Sequence, residues 1–96
     1  MRAQDFDTCY KQALNLYTQA KGQGQQPVML QVAGFKGHPE TADARWQKIP
    51  PKYWHHYVVV IDNVVYDPTA QQFGQNKTTY TVGELGRTWD TVYKIK

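Results

Sequence analysis

The feature that most constrains this chain is the segment from Trp54 to Thr69, which is typical of a β-hairpin. Residues 57–61 form an unbroken run of aromatic and β-branched side chains, and residues 64–66 form a second run. The pair Asp62-Asn63 between them predicts a two-residue loop, because Asn and Asp tolerate the positive φ angles of tight hairpins. Pro68 has no N–H to donate to a ladder, so we expect it to end the second strand.

The register of this hairpin decides which histidine can meet which carboxylate. Side chains alternate between the two faces of a strand, so His56 and Asp67 share one face and His55 lies on the other. His56 is then a diagonal neighbour of Asp67, about 7–8 Å away between backbones, which is within side-chain hydrogen-bonding reach. A four-residue loop keeps this pairing, whereas a three-residue loop would shift the register by one and favour His55.

The length and composition predict a single folded domain over residues 1–96. Apolar residues make up 41% and aromatic residues 14%, which argues against global disorder. The longest apolar run is too short to span a membrane, and the N-terminus lacks the apolar stretch of a signal peptide. Because Met1-Arg-Ala-Gln resembles an arbitrary start, we expect the chain to be the C-terminal part of a larger protein.

The cysteine count and the charge exclude some kinds of site and leave others open. The single cysteine, Cys9, rules out an internal disulfide and a zinc site of several cysteines, and we expect no metal or cofactor. The net charge of +3 is spread along the chain without a block of Lys and Arg. It is compatible with RNA or with an acidic protein partner and selects neither.

An N-terminal helix is predicted from about Thr8 to Lys21. Asp5, Asp7 and Thr8 are suitable capping residues. Apolar side chains then recur at near-helical spacing, and glycine follows Lys21. These limits place Cys9 in the first helical turn, on or near the buried face.

The other segments predict two more strands and two short helices. We expect strands at Pro27–Phe35 and Trp89–Ile95, a short helix at Ala42–Gln47, a polar loop at Thr69–Thr79, and a helical turn at Val82–Leu85. The order of elements favours an α+β fold in which the N-terminal helix packs on a small antiparallel sheet.

Three residues have the side chains that thiol chemistry requires. A cysteine in a first helical turn feels the positive end of the helix dipole, which would favour the Cys9 thiolate. His56, at the start of a strand, can take or return a proton. Asp67 on the returning strand can hold one imidazole tautomer and stabilise the charged ring.

Longer segments around these residues resemble a known family. Phe6-Asp7-Thr8-Cys9-Tyr10-Lys11-Gln12-Ala13 is similar to the nucleophile helix of small papain-fold toxin domains, which occur at the C-termini of large bacterial antibacterial proteins. Residues 56–67, His-Tyr-Val-Val-Val-Ile-Asp-Asn-Val-Val-Tyr-Asp, resemble the histidine hairpin of those domains. Residues 67–73 resemble the end of that motif and the acid loop of transglutaminase-like proteins. Trp89 and Tyr93 fit the aromatic final segment.

The resemblance implies a papain-like minimal core and a role for each residue of the triad. Cys9 would be the nucleophile, His56 the base and Asp67 the orienting acid. The family also uses a glutamine in its oxyanion hole a few residues before the cysteine. Gln4 is the candidate here, five positions upstream, and the backbone amide of Cys9 is the alternative.

Three further residues are weaker candidates for the site. His55 is the second choice for the base and otherwise a surface ring. Trp46 and Trp54, with His55, are candidates for lining a substrate groove, although both tryptophans are more often core residues. His38, between Gly37 and Pro39, is expected to be a solvated loop residue.

The resemblance implies an antibacterial toxin domain that attacks amides through cysteine. The bond would belong to a glutamine side chain, by deamidation or transfer to an amine, or to a peptide. Two alternatives stay open: an RNA-cleaving domain with Cys9 and His56 as acid and base, and a non-enzymatic interaction module with an inert Cys9.

The toxin interpretation also implies a delivery route and partners. The domain would be secreted or displayed as part of a larger protein and would act in the target-cell cytoplasm, on a protein rather than on RNA. A producing cell would need an immunity protein, which we expect to be acidic and to cover the site of Cys9 and His56. No membrane partner is expected.

Overall fold

The fold is a five-stranded antiparallel sheet with helices on both faces. The computed structural model describes residues 3–37, 39–42 and 44–96. The helices are α1 (Ala3–Gly22), α2 (Ala44–Gln47) and α3 (Val82–Thr88), and the strands are β1 (Val28–Phe35), β2 (His55–Ile61), β3 (Val64–Tyr66), β4 (Thr79–Thr81) and β5 (Trp89–Lys94). The strand order is β4-β3-β2-β1-β5. This architecture confirms the predicted α+β class.

Strands β2 and β3 form the predicted hairpin. Asp62 and Asn63 have φ angles of 51° and 66°, as a two-residue loop of this kind requires. Ile61 pairs with Val64 across the loop, followed by Val60 with Val65. The register expected from the sequence is therefore correct.

The two faces of the sheet bury different clusters. Helix α1 covers one face, where its buried side chains pack with those of β1 and β2: Ala13, Ala20, Met29, Val59 and Ile61. The opposite face carries a mainly aromatic cluster that includes Phe35, Trp46, Trp54, Phe73 and Trp89. His56 contacts that aromatic cluster, so it lies on the face that α1 does not cover.

Helix α1 begins earlier than predicted, at Ala3 instead of Thr8. The backbones of Asp5, Asp7 and Thr8 therefore lie inside the helix and not at its N-cap position. Acidic residues are well tolerated near a helix N-terminus, so they do not fix its first residue. Cys9 becomes the seventh helical residue and lies in the second turn, and the predicted first-turn position is wrong.

The predicted polar loop at Thr69–Thr79 contains more structure than expected. A 3₁₀ turn spans Ala70–Phe73, and the edge strand β4 begins at Thr79. The capping of α3 is as predicted, since the Thr81 hydroxyl accepts a hydrogen bond from the Glu84 N–H at 3.1 Å. Strand β4 was missed because three residues are too few for a strand to be recognised without the edge of β3 with which they pair.

Gly34 lets β1 direct both Val32 and Phe35 to the aromatic face of the sheet. Its φ of +73° is in the left-handed region, and a Cβ there would lie 2.7 Å from the Cβ of Asp90. Val32 and Phe35 both join the aromatic cluster although they are three residues apart. A regular strand would turn them to opposite faces.

Within the described residues, none of the helices has the combination of length and apolar character needed to cross a membrane.

Candidate active site

The central contact joins the first helix to the hairpin. The sulfur of Cys9 lies 2.9 Å from Nδ1 of His56. On the other side of the imidazole, Nε2 lies 2.6 Å from Oδ1 of Asp67. The fold therefore brings together the three residues that the sequence had singled out, in the predicted order of thiol, imidazole and carboxylate.

The sulfur reaches the imidazole around an open edge of β2. The N–H of Gly34 donates to the carbonyl of Trp54. Because residues along a strand direct their N–H and C=O groups alternately to its two edges, the even-numbered residues of β2 pair with β1. The N–H and C=O of Tyr57 therefore point to the opposite edge. Strand β3 stops pairing at Tyr66, opposite Val59. The Tyr57 N–H instead donates to the Cys9 sulfur at 3.3 Å. The thiol thus takes the place of a strand partner.

The carboxylate of Asp67 is held from two sides. One oxygen accepts from His56 Nε2, and the other accepts from the hydroxyl of Tyr80 on β4. The backbone N–H of Asp67 donates to the carbonyl of Thr78 at 2.7 Å. Both carboxylate oxygens are therefore occupied, as a carboxylate that is 1% exposed requires.

The imidazole of His56 packs against two aromatic rings that also contact each other. Phe73 has its ring centroid 4.6 Å away, and Trp89 stacks on the imidazole at 5.6 Å with an interplanar angle of 20°. These rings fix the orientation of the imidazole, and the faces of aromatic rings favour a cation.

The electrostatics of the site favour a thiolate paired with an imidazolium. Burial alone would raise the pKa of the Cys9 thiol, but the charge and hydrogen bond of His56, aided by Thr69 and Tyr57, lower that pKa overall. Burial alone would lower the pKa of His56, but Asp67 and Cys9 raise it to about 10. Burial and the Asp67 carboxylate raise the pKa of Tyr80, so its phenol stays protonated and can donate.

The source of the thiolate stabilisation therefore differs from the predicted one. A helix dipole acts within the first turn, and Cys9 lies beyond it. The charge of His56 is the leading lowering effect on the thiol.

Access to the sulfur is narrow. Cys9 is 3% exposed and His56 is fully buried. The surroundings of the sulfur are nevertheless polar, because it also lies 3.5 Å from the hydroxyl of Thr69 and 3.7 Å from the carbonyl of Tyr57. Thr69 and Tyr57 are both partly exposed. These two residues are therefore the partly exposed contacts of the sulfur.

The helix geometry tests one of the two oxyanion candidates. The backbone of Gln4 belongs to α1, but its side chain lies outside the described part of the chain. The amide of Cys9 lies past the first four helical residues, so the carbonyl one turn earlier engages it. It is therefore not free to bind an oxyanion, and that expectation is wrong.

The weaker candidates are not members of the chain of contacts from Cys9 through His56 to Asp67. His55 is exposed, and its Nδ1 lies 3.1 Å from Nε2 of Gln31. Trp46 and Trp54 are fully buried in the aromatic cluster. Neither tryptophan can present a surface to a substrate, because neither side chain is exposed to solvent. The groove role given to them is therefore wrong, and His38 lies outside the described residues.

Two site residues had no signal in the sequence. Tyr80 lies in the missed strand β4, and Thr69 follows Pro68 in what looked like a polar loop. Only the pairing of β4 with β3 could have placed Tyr80 opposite Val65 and next to the acid.

Comparison of the chain with protein-family models, with curated proteins and with solved structures gives no match.

Proposed function

We propose that this chain is a papain-like, cysteine-dependent toxin domain that transfers the acyl group of an amide, most readily a glutamine side chain. The single observation that supports this proposal is the buried chain of contacts from Cys9 through His56 to Asp67. A thiol, an imidazole and a carboxylate in this order are the parts of an activated nucleophile.

The proposed reaction begins from the thiolate. The sulfur of Cys9 adds to the carbonyl carbon, and the carbonyl electrons move to the oxygen. When the tetrahedral intermediate collapses, the C–N bond breaks and His56 gives its Nδ1 proton to the departing nitrogen. Water or an amine then attacks the thioester carbon and passes a proton to His56, and the C–S bond breaks, which restores the thiolate–imidazolium pair.

Asp67 acts through the imidazole throughout this sequence. Its hydrogen bond from Nε2 keeps Nδ1 directed at the sulfur, and its charge stabilises the imidazolium. Tyr80 in turn holds the second oxygen of Asp67 and so fixes the carboxylate. Asp67 and Tyr80 are therefore positioning residues in this proposal.

The toxin part of the proposal is supported by the resemblance of residues 6–13 and 56–73 to papain-fold toxin domains, together with the α+β fold. The toxin proposal includes delivery by a larger secreted or cell-surface protein and action in the cytoplasm of a target cell. The producing cell would hold an immunity protein, which we expect to be acidic because the domain carries a net charge of +3. It would cover Thr69 and Tyr57, the exposed side of the site.

The proposal is tested by inducible expression in the bacterial cytoplasm. The wild type should arrest growth, and Cys9→Ala and His56→Ala should not. His55→Ala is the matched control, because it removes the neighbouring, exposed imidazole and should remain toxic. Soluble expression and thermal unfolding verify that each variant is folded. A folded Cys9→Ala variant that remains fully toxic would exclude the cysteine mechanism.

The bond attacked is identified in the arrested cells. Deamidation of a glutamine adds about one dalton to a target protein, and transamidation adds the mass of an amine. Either gain should be absent with Cys9→Ala. Discrete fragments of cellular RNA, without any protein mass change, would point instead to the RNA-cleaving alternative.

A further inference from the structure

Thr69 occupies a position at the site that its local structure does not explain. Its hydroxyl lies 3.5 Å from the Cys9 sulfur and 3.5 Å from Nδ1 of His56. The residue precedes the 3₁₀ turn Ala70–Phe73 in the capping position, yet its side chain makes no capping hydrogen bond. The hydroxyl is therefore directed at the reacting pair and not at the turn.

The backbone holds Thr69 in this position. The N–H of Ala70 donates to the carbonyl of Asp67 at 3.2 Å, which closes a turn around Pro68 and Thr69. Asp67 is itself fixed by His56 and Tyr80. A donor that is held in place before the reaction is more effective than one that must reorganise during it.

Thr69 is also partly exposed, unlike the pair that it contacts. Cys9 and His56 are buried, whereas Thr69 and Tyr57 are partly exposed. Because the Thr69 hydroxyl lies 3.5 Å from the sulfur, a carbonyl group that bonds to the sulfur comes within its reach. Of the two other donors considered for the oxyanion, the Cys9 amide is engaged in the helix, and the side chain of Gln4 is not among those that the structure describes.

We propose that Thr69 is a further catalytic residue, whose hydroxyl donates to the oxyanion formed when Cys9 attacks a carbonyl. This inference rests on the proposed function. In the resting site the hydroxyl donates to the thiolate. As the sulfur bonds to the carbonyl carbon, the negative charge moves to the carbonyl oxygen and the Thr69 O–H follows it. When the C–N bond breaks, the charge leaves the oxygen and the hydroxyl returns to its first position.

The test compares two reactions of the same sulfur in the complete 96-residue chain. Iodoacetamide alkylates a thiolate by displacing iodide, a step that forms no oxyanion. p-Nitrophenyl acetate acylates the thiolate through a tetrahedral oxyanion and releases p-nitrophenolate. Both rates are measured on their high-pH plateau, where the thiol is fully ionised. The ratio of the acylation rate to the alkylation rate then reports the stabilisation of the oxyanion and not the amount of thiolate. Because Cys9 is the single cysteine, the adducts that intact mass detects in the wild type and not in Cys9→Ala are those on the sulfur.

Thr69→Val removes the hydroxyl and keeps the branched shape of the side chain. We expect it to lower the ratio by a factor on the order of 100, since loss of one oxyanion donor has this effect in other enzymes. Thr69→Ser keeps the hydroxyl and should retain a ratio close to that of the wild type. If Thr69→Val does not fold, Thr69→Ala supplies the same comparison.

Each outcome decides the inference. A lowered ratio in Thr69→Val that Thr69→Ser restores supports the catalytic role. An unchanged ratio, including equal losses of both rates, would overturn it and leave Thr69 as a contact of the thiolate alone. A wild type that is alkylated but never acylated at Cys9 would overturn the proposed function as well, and is thereby distinguishable from a failure of Thr69 alone.

Discussion

The sulfur of Cys9 accepts a hydrogen bond from the backbone N–H of Tyr57, at 3.3 Å, on the edge of β2 that β3 leaves uncovered. Extending the hairpin register by two pairs would bring Pro68 opposite Tyr57, and proline has no N–H with which to continue the ladder. The thiol instead accepts the hydrogen bond from Tyr57 on this edge. The proposed nucleophile is therefore also a part of the sheet.

This double role predicts a stability difference between two substitutions. Cys9→Ala leaves the Tyr57 N–H without its acceptor and should lower the free energy of unfolding by about 1–3 kcal/mol. Cys9→Ser keeps an acceptor at the same position and should lose less. Urea unfolding of both variants measures the difference. Equal stability of the two variants would show that the contact with Tyr57 contributes nothing.

The thiolate–imidazolium pair predicts the pH dependence of alkylation. Burial opposes ionisation of Cys9, but His56 outweighs it and lowers the thiol pKa. The alkylation rate of the wild type should therefore reach half of its plateau at a lower pH than that of free cysteine. In His56→Gln burial remains and the charge is gone, so this midpoint should move above that of free cysteine. His55→Gln is the control and should leave the midpoint unchanged.

The hydrogen bond from Tyr80 predicts a cost for removing one hydroxyl. Tyr80→Phe leaves one oxygen of the buried Asp67 carboxylate without a donor, which should lower the free energy of unfolding by about 1.5–3 kcal/mol. Tyr93→Phe removes a hydroxyl from a side chain that is 55% exposed and should change it by less than about 0.5 kcal/mol. Denaturant titrations of the two variants make the comparison. Similar values for both would mean that Asp67 does not depend on Tyr80.

Coupled titration of Cys9 and His56 predicts how stability varies with pH. The raised pKa of His56 gives stability that is complete below about 6.5 and lost as pH rises through about 10. The lowered pKa of Cys9 gives stability that is complete above about 9.0 and lost as pH falls through the folded value. Between about 6.5 and 9.0 the two effects oppose each other, so their sum changes little.

Replacement of the thiol should expose the histidine effect alone. In Cys9→Ser, Asp67 still raises the pKa of His56, so stability should fall across the same pH window. The difference in unfolding free energy between the wild type and Cys9→Ser should therefore grow as pH rises from about 6.5 to about 9.0. A constant difference would mean that the two groups do not exchange a proton in the folded state.

The bend of β1 at Gly34 predicts opposite effects of two glycine substitutions. Gly34→Ala forces a side chain into a positive φ and against Asp90, which should destabilise the fold by about 1–3 kcal/mol. Gly86→Ala, within α3, meets no atom within 4 Å and should stabilise it by about 0.5–1 kcal/mol. Thermal unfolding of both variants gives the sign of each. A neutral Gly34→Ala variant would show that β1 can bend without glycine.

The sequence by itself determined the hairpin and the pairing of His56 with Asp67. Both follow from local rules: Asp62-Asn63 adopts the positive φ angles of a short loop, and the alternation of side chains then fixes which histidine shares a face with the acid. The α+β class follows in the same way from the order of periodic segments.

Only the tertiary structure decided how the thiol meets this pair. Where α1 begins, and the docking that brings Cys9 to the open edge of β2, depend on packing between distant segments. The roles of Thr69 and Tyr80 likewise depend on a turn and on an edge strand that form only against the finished hairpin. Burial of Trp46 and Trp54 has the same origin, because side chains of all five strands and of helices α2 and α3 create their cluster. Local sequence carries no record of such long-range contacts, so these features could not be read from it.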